Sequence, residues 1–402
     1  MPHIYINELD NTVAGKISAS TNVVYIPGAI EAGGTLANND PTMFSTVAEF
    51  MKAVTGDVKG KLSEDNYNAI MARELLSLGL GVLFESFGTH SALLDAEAIL
   101  ELVDFSKLTD KGLFKFKFLM GGATESMSRA EDMLECAAKR GDCIALIDHD
   151  SVIEGASGDD SVSETIYESF KQIASDDNAK FGAAFSPWCK FDLKEGEMEL
   201  PGSFAFLSAY GRAVKNNPNW YAAAGFFRGR IPSLVAPVYK FGDADSAVLQ
   251  GRDIAEDGGF GDNDNQSYAI NPISLVDEAG FIVWGNRTLL DNSEAGGLTA
   301  SSFLNIRNLV CDLKKALYKA ARKYTFEQNT DILWINFCSE FYPLLDKAKS
   351  GGGIRKYKAE RIDTDIKGRL KALIKITPIE AVEDFDLTVE MTDSLEELTE
   401  SV

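Results

Sequence analysis

The chain has 402 residues, and its 45% hydrophobic and 25% charged composition is ordinary for a soluble globular protein with room for two or three domains. Its 39 basic and 61 acidic residues give a formal net charge of −22, without any Lys- or Arg-rich run. Proteins that bind nucleic acid directly or adsorb to anionic membranes normally present a basic face, and a membrane span needs a longer apolar run, so we expect neither nucleic-acid binding nor membrane insertion.

The cysteines and the first residues indicate the compartment. The five cysteines are odd in number and show no CxxC spacing, so we interpret them as small buried hydrophobes in a reducing environment. The opening MPHIYINELD has neither the cationic nor the apolar part of a signal peptide. We therefore expect the protein to be made and folded in cytoplasm.

The chain begins with a short predicted strand, residues 3–8, followed by a lead of small and polar residues. Residues 1–20 are predicted to form an N-terminal β-arm, with Ile4, Tyr5 and Ile6 in its strand. A terminal strand on a lead of this kind can add to the sheet edge of another chain through its main-chain hydrogen bonds. The alternative is that it pairs within its own chain.

Residues 21–235 alternate between apolar strands and amphipathic helices, which is typical of an α/β sheet covered on both faces. The predicted strands are residues 23–26, 79–85, 114–119, 143–147 and 180–184, the first ending at Pro27-Gly28. The predicted helices are residues 44–54, 64–78, 92–103, 126–139, 161–174 and 202–216, with Ser63 capping the second.

Residues 236–268 have the Gly- and Asp-rich composition of a flexible loop, and residues 269–378 are predicted to form a C-terminal assembly domain of α+β type. Its predicted elements are a strand pair over 273–275 and 281–284, a long amphipathic helix over 302–324, a second helix from about 331, and a strand over 370–376. The predicted helix caps are Ser301 or Ser302 and then Asn329 or Thr330.

Residues 379–402 are predicted to form a C-terminal β-arm and an acidic tail. Apolar residues alternate with polar ones over 385–391, which predicts a strand with one apolar face. The apolar positions are Phe385, Leu387, Val389 and Met391. Because this strand lies near the end of the sequence, it too can pair with another chain. The predicted architecture is thus α/β, α+β in its C-terminal domain, with a mixed sheet and two terminal β-arms.

Catalytic chemistry has little support in the sequence. The best candidate is Asp148-His149-Asp150, directly after a predicted strand, where α/β enzymes place chemistry and where two carboxylates could bind Mg²⁺. A loop of polar residues that ends a buried strand explains the same pattern. No nucleotide-binding, nucleophile or zinc motif occurs. We therefore expect no enzyme, cofactor or metal, and keep an Asp148/Asp150 hydrolase or transferase as an alternative.

Four segments together resemble the tail sheath proteins of contractile bacteriophages and contractile injection systems. Ile270–Leu289 is similar to the family's I-N-P…V-W-G-A-R-T-L segment, with Trp284 and Arg287 in place and Asn286 where Ala is usual. NIRNLVCDLKKALYKAARKYTFEQNTDILW resembles its V-R-R-L…F-E-P-N…L-W pattern, with Arg307, Glu327 and Trp334 in place. GRLKALIKITPIEAVEDFDLTVEMT and the opening PHIYINELD resemble the family's two ends.

The resemblance implies a structural subunit with a mixed-sheet sheath core, in which residues 21–235 face outward. Such subunits polymerise helically around an inner tail tube and exchange terminal strands with neighbours. The implied partners are the subunit itself, the tail tube protein, and baseplate and tail terminator proteins. The implied location is the virion tail, with host cytoplasm during assembly, and contraction would drive the tube through a target cell envelope. A non-contractile virion subunit stays open as a further alternative.

Overall fold

The computed structural model describes residues 22–91, 93–153, 162–231, 233–252, 267–293, 297–362 and 369–381. Its strands are β1 (Val23–Ile30), β2 (Thr42–Phe44), β3 (Gly81–Thr89), β4 (Phe118–Met120), β5 (Ile144–Ile147), β6 (Gly182–Ser186), β7 (Cys189–Leu193), β8 (Gly196–Leu200), β9 (Leu234–Pro237), β10 (Asn271–Val276), β11 (Gly280–Val283), β12 (Ile354–Ile362) and β13 (Lys371–Pro378). Its helices are α1 (Val47–Thr55), α2 (Tyr67–Ser77), α3 (Ala96–Leu102), α4 (Ala130–Arg140), α5 (Val162–Ser169), α6 (Lys171–Ala174), α7 (Gly202–Ala213), α8 (Gly225–Arg228), α9 (Asp243–Leu249), α10 (Leu304–Lys323) and α11 (Asp331–Ser350).

Eight strands form one mixed sheet in the order β11-β10-β6-β5-β4-β1-β3-β2. The neighbours from β10 to β3 pair in parallel, whereas the edge strands β11 and β2 are antiparallel to their neighbours. Alternate residues of β1 enter different cores: Val24 and Ile26 pack with α1, α2 and α7, and Val23 and Tyr25 pack with α3 and α4. The prediction of an α/β sheet covered on both faces is confirmed.

Strand β1 is longer than predicted, because it continues through Pro27-Gly28 to Ile30. Proline cannot donate to a sheet ladder, which normally excludes it from central strands. Strand β4 pairs with β1 only at Val24 and Tyr25, so at Pro27 the remaining partner is β3. The missing donor therefore falls where one side of the strand has no ladder to complete.

A small antiparallel sheet, β8-β7-β9, was not predicted from the sequence. Its inner residues Phe191, Leu200 and Leu234 join the core that contains α7. The short strands alternate charged and apolar residues, and Gly196 turns between β7 and β8 with a φ of 124°. In the sequence these signals resemble a polar loop.

The predicted strand pair in the INP…GFIVW segment is confirmed as β10 and β11, and it completes the large sheet. Asn271 and Pro272 of β10 pair in parallel with Phe185 and Ser186 of β6. The border proposed between residues 235 and 269 therefore separates strands that hydrogen-bond in one sheet. The division into domains stays a prediction.

Helices α10 and α11 and the ribbon β12-β13 have an apolar core of their own, and together they are called the terminal unit. The core includes Leu313, Phe337, Phe341 and Leu345 from the facing sides of the two helices. Thr330 caps α11 as predicted, since its Oγ1 accepts the N–H of Leu333 at 3.3 Å. The strand β12 was not predicted.

Two predicted caps are wrong. Ser63 does not cap α2; its N–H and Oγ both bond the Glu31 carboxylate at 2.8 Å. Neither Ser301 nor Ser302 caps α10, because Phe303 is the cap position and Ser302 donates to Asn292 Oδ1 at 2.6 Å. In both cases a longer-range hydrogen bond replaces the local cap.

Candidate assembly surface

The ribbon β12-β13 is a two-stranded sheet within the terminal unit. Its strands pair antiparallel, with Ile354 opposite Pro378 at one end and Ile362 opposite Lys371 at the other. One face packs on the terminal-unit core through Tyr357, Ala359, Ile374 and Ile376. Among the residues that the structure describes, no third strand pairs with either side of the ribbon. Its two outer edges can therefore accept further strands.

A buried polar network fixes α10 to the large sheet. Lys117 Nζ lies 3.0 Å from Asp312 Oδ2, and Asn219 donates to the same carboxylate oxygen at 2.9 Å. Tyr210 OH is 3.2 Å from the ammonium and donates to Asn22 Oδ1 at 2.9 Å. Burial alone would lower the pKa of Lys117, but the Asp312 carboxylate raises it overall. Lys117 thus stays charged inside the protein.

Trp220 holds the other end of the terminal unit. Its Nε1 donates to the carbonyl of Gly351 at 3.0 Å, directly after α11, and its carbonyl accepts Asn305 Nδ2 at 3.0 Å. A Cβ placed on Gly353 would lie 2.7 Å from the Trp220 ring. The glycines after α11 therefore permit a close approach to this tryptophan.

Two of the motif arginines lie in the interior and not on a surface. Arg287 is buried, and its guanidinium lies 4.6 Å from the ring centroid of Phe303. Its backbone N–H donates to Asn271 Oδ1 at 2.7 Å. Arg307 of α10 is also buried, 4.7 Å from the ring centroid of Phe181, and burial lowers its pKa. Both connect the α10 segment to the large sheet.

The other motif residues are spread over the molecule. Trp284 is 44% exposed at the end of β11. Glu327 lies exposed between α10 and α11, and Trp334 is half-buried against Phe337, with their ring centroids 5.9 Å apart. The five motif residues therefore do not form one cluster. Their role in assembly stays a prediction.

The predicted strand-exchange residues lie outside the described part of the chain. They are Ile4, Tyr5, Ile6, Phe385, Leu387, Val389 and Met391. What the structure does describe is the ribbon to which such strands could add. The sequence pattern predicts β13 but not β12, whose nine residues IRKYKAERI include five charged ones. The alternation of Tyr357, Ala359 and Arg361 with charged neighbours was the available signal.

The Asp148-His149-Asp150 segment has a structural explanation. Asp148 is 1% exposed and accepts both the N–H and the Oγ–H of Ser203, at 2.9 and 2.6 Å, in the first turn of α7. Burial raises the pKa of Asp148 to about 7. Asp150 instead faces its own loop, where it accepts the N–H of Val152 at 3.1 Å. The buried carboxyl caps a helix, so this geometry does not support an open metal site.

His149 is also buried, and Nε2 lies 2.9 Å from Ser186 Oγ. Its Nδ1 contacts the carbonyl of Asp150, so in the neutral ring Nδ1 carries the proton and Nε2 accepts from the serine. Burial lowers the pKa of His149 to about 4. A neutral imidazole enclosed in this way is out of reach of a substrate.

Within the described residues, no group of three or more His, Cys, Asp or Glu side chains could hold a metal ion. The described helices include none that is long and apolar enough to cross a bilayer.

Comparison with solved structures defines the class of fold. The chain matches a subunit of the contracted sheath complex of an extracellular contractile injection system, PVC, with a TM-score of 0.62 and 16% identity over 99% of this chain and 98% of that one. A chain of the contracted anti-feeding prophage baseplate gives 0.64 and 17% over 98% and 99%. A sheath tail protein from Desulfitobacterium hafniense gives 0.53 and 7% over 94% and 100%. The predicted α/β class is confirmed, and the fold is that of contractile-sheath subunits.

In sequence, the chain is similar to the tail sheath protein of Vibrio phage KVP40, with 25% identity over 179 residues. The match covers 44% of this chain and only 23% of that protein, so the chain spans about a quarter of the length of this relative. No family model matches the sequence. The resemblance to tail sheath proteins, first noted in the sequence motifs, is confirmed by these two independent comparisons.

Proposed function

We propose that this protein is the structural subunit of a contractile sheath, which polymerises helically around an inner tube and carries out no catalysis. The observation that carries the proposal is the two-stranded ribbon β12-β13, whose outer edges have no partner strand among the described residues. Packing on α11 covers one face of this ribbon but leaves both of its edges unpaired among the described residues. Added strands would complete it.

The proposed strands are the two terminal arms of neighbouring subunits. Residues 3–8 and 385–391 both read as strands in the sequence. An arm that reaches from one subunit to the next makes a heterologous contact, and such a contact repeated without closure builds a helical polymer. The sheath fold of the described residues, matched over almost the whole chain, supports this arrangement.

The proposed partners follow from the same function: further copies of this chain, a tube protein inside the sheath, and baseplate and terminator proteins at its ends. Subunits would be made in host cytoplasm and would end in a tail or tail-like particle. During contraction the rigid bodies would rotate and move outward while the exchanged strands stay paired and their leads bend. The extended polymer would have a higher free energy than the contracted polymer and would be kinetically trapped.

Deletion of either arm tests this function. Variants lacking residues 1–15 or 382–402 should stay folded by circular dichroism and should sediment as monomers, because the large sheet and its cores lie outside the deleted segments. Electron microscopy of the unmodified protein should show long hollow cylinders with a wide lumen. As a control, a Gly/Ser sequence of equal length replacing residues 10–20 should leave the cylinders intact, because the lead only has to bend. Normal cylinders from both deletion variants would contradict the proposal.

The alternatives give different results in the same preparations. Narrow tubes or closed shells would identify a non-contractile virion subunit. An Asp148→Asn variant should polymerise as the unmodified protein does, whereas loss of a hydrolase or transferase activity in that variant would favour the enzyme.

A further inference from the structure

The outward face of the ribbon β12-β13 is basic, although the protein as a whole carries a net charge of −22. Pairing places residues 356, 358, 360 and 362 of β12 opposite 377, 375, 373 and 371 of β13, on the face away from α11. The exposed lysines of this face, named the lysine face here, are Lys356, Lys358, Lys371 and Lys375. Among these eight residues Glu360 is the one acidic side chain, and it pairs with Lys358.

At the centre of the lysine face two like charges meet across the ladder, and Glu360 pairs with one of them, Lys358. Lys358 and Lys375 lie directly opposite each other in the antiparallel ladder. Like charges in such a pair destabilise a sheet. The Lys358 side chain is 70% exposed, so an anionic group brought to this face could reach it. An anionic partner would turn the repulsion into attraction.

The same chain contains a segment with the complementary charge. Residues 382–402 hold eight Asp and Glu and no Lys or Arg. Within 385–391 the apolar residues Phe385, Leu387 and Val389 alternate with the polar set Asp386, Thr388 and Glu390. An extended strand sends these two sets to opposite faces of a sheet.

We infer that the lysine face binds the acidic C-terminal segment of a second copy of this chain, with Asp386 and Glu390 on the lysine face. Phe385, Leu387 and Val389 then join the face that packs on α11, beside Ile374 and Ile376. Neighbouring strands lie about 4.8 Å apart, so either edge of the ribbon brings the carboxylates within reach of Lys358 or Lys375. The inference rests on the proposed strand exchange and adds its determinant: charge selects which face of the arm meets which face of the ribbon.

Charge reversal in full-length proteins tests this inference. Lys358→Glu/Lys375→Glu should raise the concentration needed for polymerisation roughly tenfold, because two attractive contacts become repulsive. Asp386→Lys/Glu390→Lys should do the same, and the chain carrying all four changes should assemble again. The first variant keeps a like-charged pair across the ribbon, so it does not relieve the ribbon's internal repulsion. Lys59→Glu/Lys61→Glu, at exposed sites on the large-sheet body, is the matched control and should assemble normally.

Mixing the two double variants shows whose segment is bound. Each is defective alone, but each supplies the arm that the other's ribbon needs, so an equimolar mixture should form cylinders. If the four-change chain assembles and the mixture does not, the segment binds within its own chain and the inference is overturned. It is also overturned if the lysine variant polymerises like the control. If deletion of residues 382–402 leaves assembly intact, the proposed strand exchange itself is wrong. If the deletion abolishes assembly but the charge reversals have no effect on it, only the electrostatic inference is wrong.

Discussion

At the scale of single residues, the buried pair Asp148 and His149 shows how a polar segment that suggests chemistry can serve the fold. Asp148 caps α7 through Ser203, and His149 accepts from Ser186. Burial raises the pKa of the acid to about 7 and lowers that of the base to about 4. Both groups are thus neutral over the same mildly acidic range, although in the unfolded chain the carboxyl would be charged and the imidazole protonated.

These two shifts predict opposite effects of pH on stability. The raised pKa of Asp148 contributes stability below about pH 4 that is lost as pH rises towards 7, whereas the lowered pKa of His149 contributes stability above about pH 6.5 that is lost as pH falls towards 4. In the unmodified protein the two contributions oppose each other between pH 4 and 6.5. Asp148→Asn keeps an oxygen that can accept from Ser203, but of the two pH-dependent contributions only that of His149 remains. The free energy of unfolding of this variant, relative to the unmodified protein, should therefore rise with pH by up to about 1 kcal/mol per pH unit.

His149→Gln is the matched variant, and its relative stability should fall with pH over the same range. Urea unfolding at pH 4.5, 5.5 and 6.5 measures both slopes. Equal pH dependence in all three proteins would contradict this account of the two groups.

At the scale of elements, two contacts hold the terminal unit to the rest of the described chain. One is the Lys117–Asp312 pair, and the other is the close approach of the glycine backbone after α11 to Trp220. The Trp220 ring lies against the glycines that follow α11, and Gly353 N–H donates to Ala348 O at 2.7 Å. Gly353→Ala would place a methyl group 2.7 Å from the indole, so either the helix end or the tryptophan must shift.

We expect Gly353→Ala to lower the free energy of unfolding by about 1–3 kcal/mol, the usual cost of overpacking. The cost should shrink in a Trp220→Leu background, where the clashing ring is absent. Ser350→Ala, at an exposed position one turn earlier, should change stability by less than about 0.5 kcal/mol. Chemical denaturation of the four variants checks the double-mutant relation, and equal costs of Gly353→Ala in both backgrounds would contradict it.

Local sequence signals predicted the elements whose own residues decide them. The stripe of α10 and the apolar runs of β1 and β5 are periodic enough to be identified directly. Strand β12 was missed because most of its side chains are charged, and its conformation depends on packing against α11 and pairing with β13. The caps at Ser63 and Ser302 failed because Glu31 and Asn292, distant in sequence or in a loop, bind those hydroxyls.

The candidate site was predictable in kind and less so in position. Arginine is mostly exposed in folded proteins, yet the guanidinium groups of the motif residues Arg287 and Arg307 both lie against buried aromatic rings. No local sequence signal predicts that the rings of Phe303 and Phe181 lie against these two guanidinium groups. The lysine face likewise exists only because antiparallel pairing brings Lys358 of β12 directly opposite Lys375 of β13.

At the scale of the whole molecule, two parts differ in how much they depend on neighbours. The large sheet has a buried core on each face, complete within one subunit. The ribbon has one covered face and two open edges among the described residues. Assembly should therefore suppress local opening at the ribbon edges, whose amides gain hydrogen-bond partners, far more than in the large sheet, whose central strands are already paired on both sides.

Hydrogen exchange of subunits and polymers tests this division. In the monomeric Lys358→Glu/Lys375→Glu variant, amides of β12 and β13 that point away from the partner strand should exchange fast, because no acceptor covers them. In the polymer of the unmodified protein these amides should exchange at least about tenfold more slowly, which corresponds to ~1.4 kcal/mol. Amides of β1 and β5 serve as the internal control, because each strand has neighbours on both sides in the monomer. Equal protection of the ribbon in both states would mean that its edges are not where subunits join, and the contacts of the polymer would then have to come from the surfaces of the large sheet.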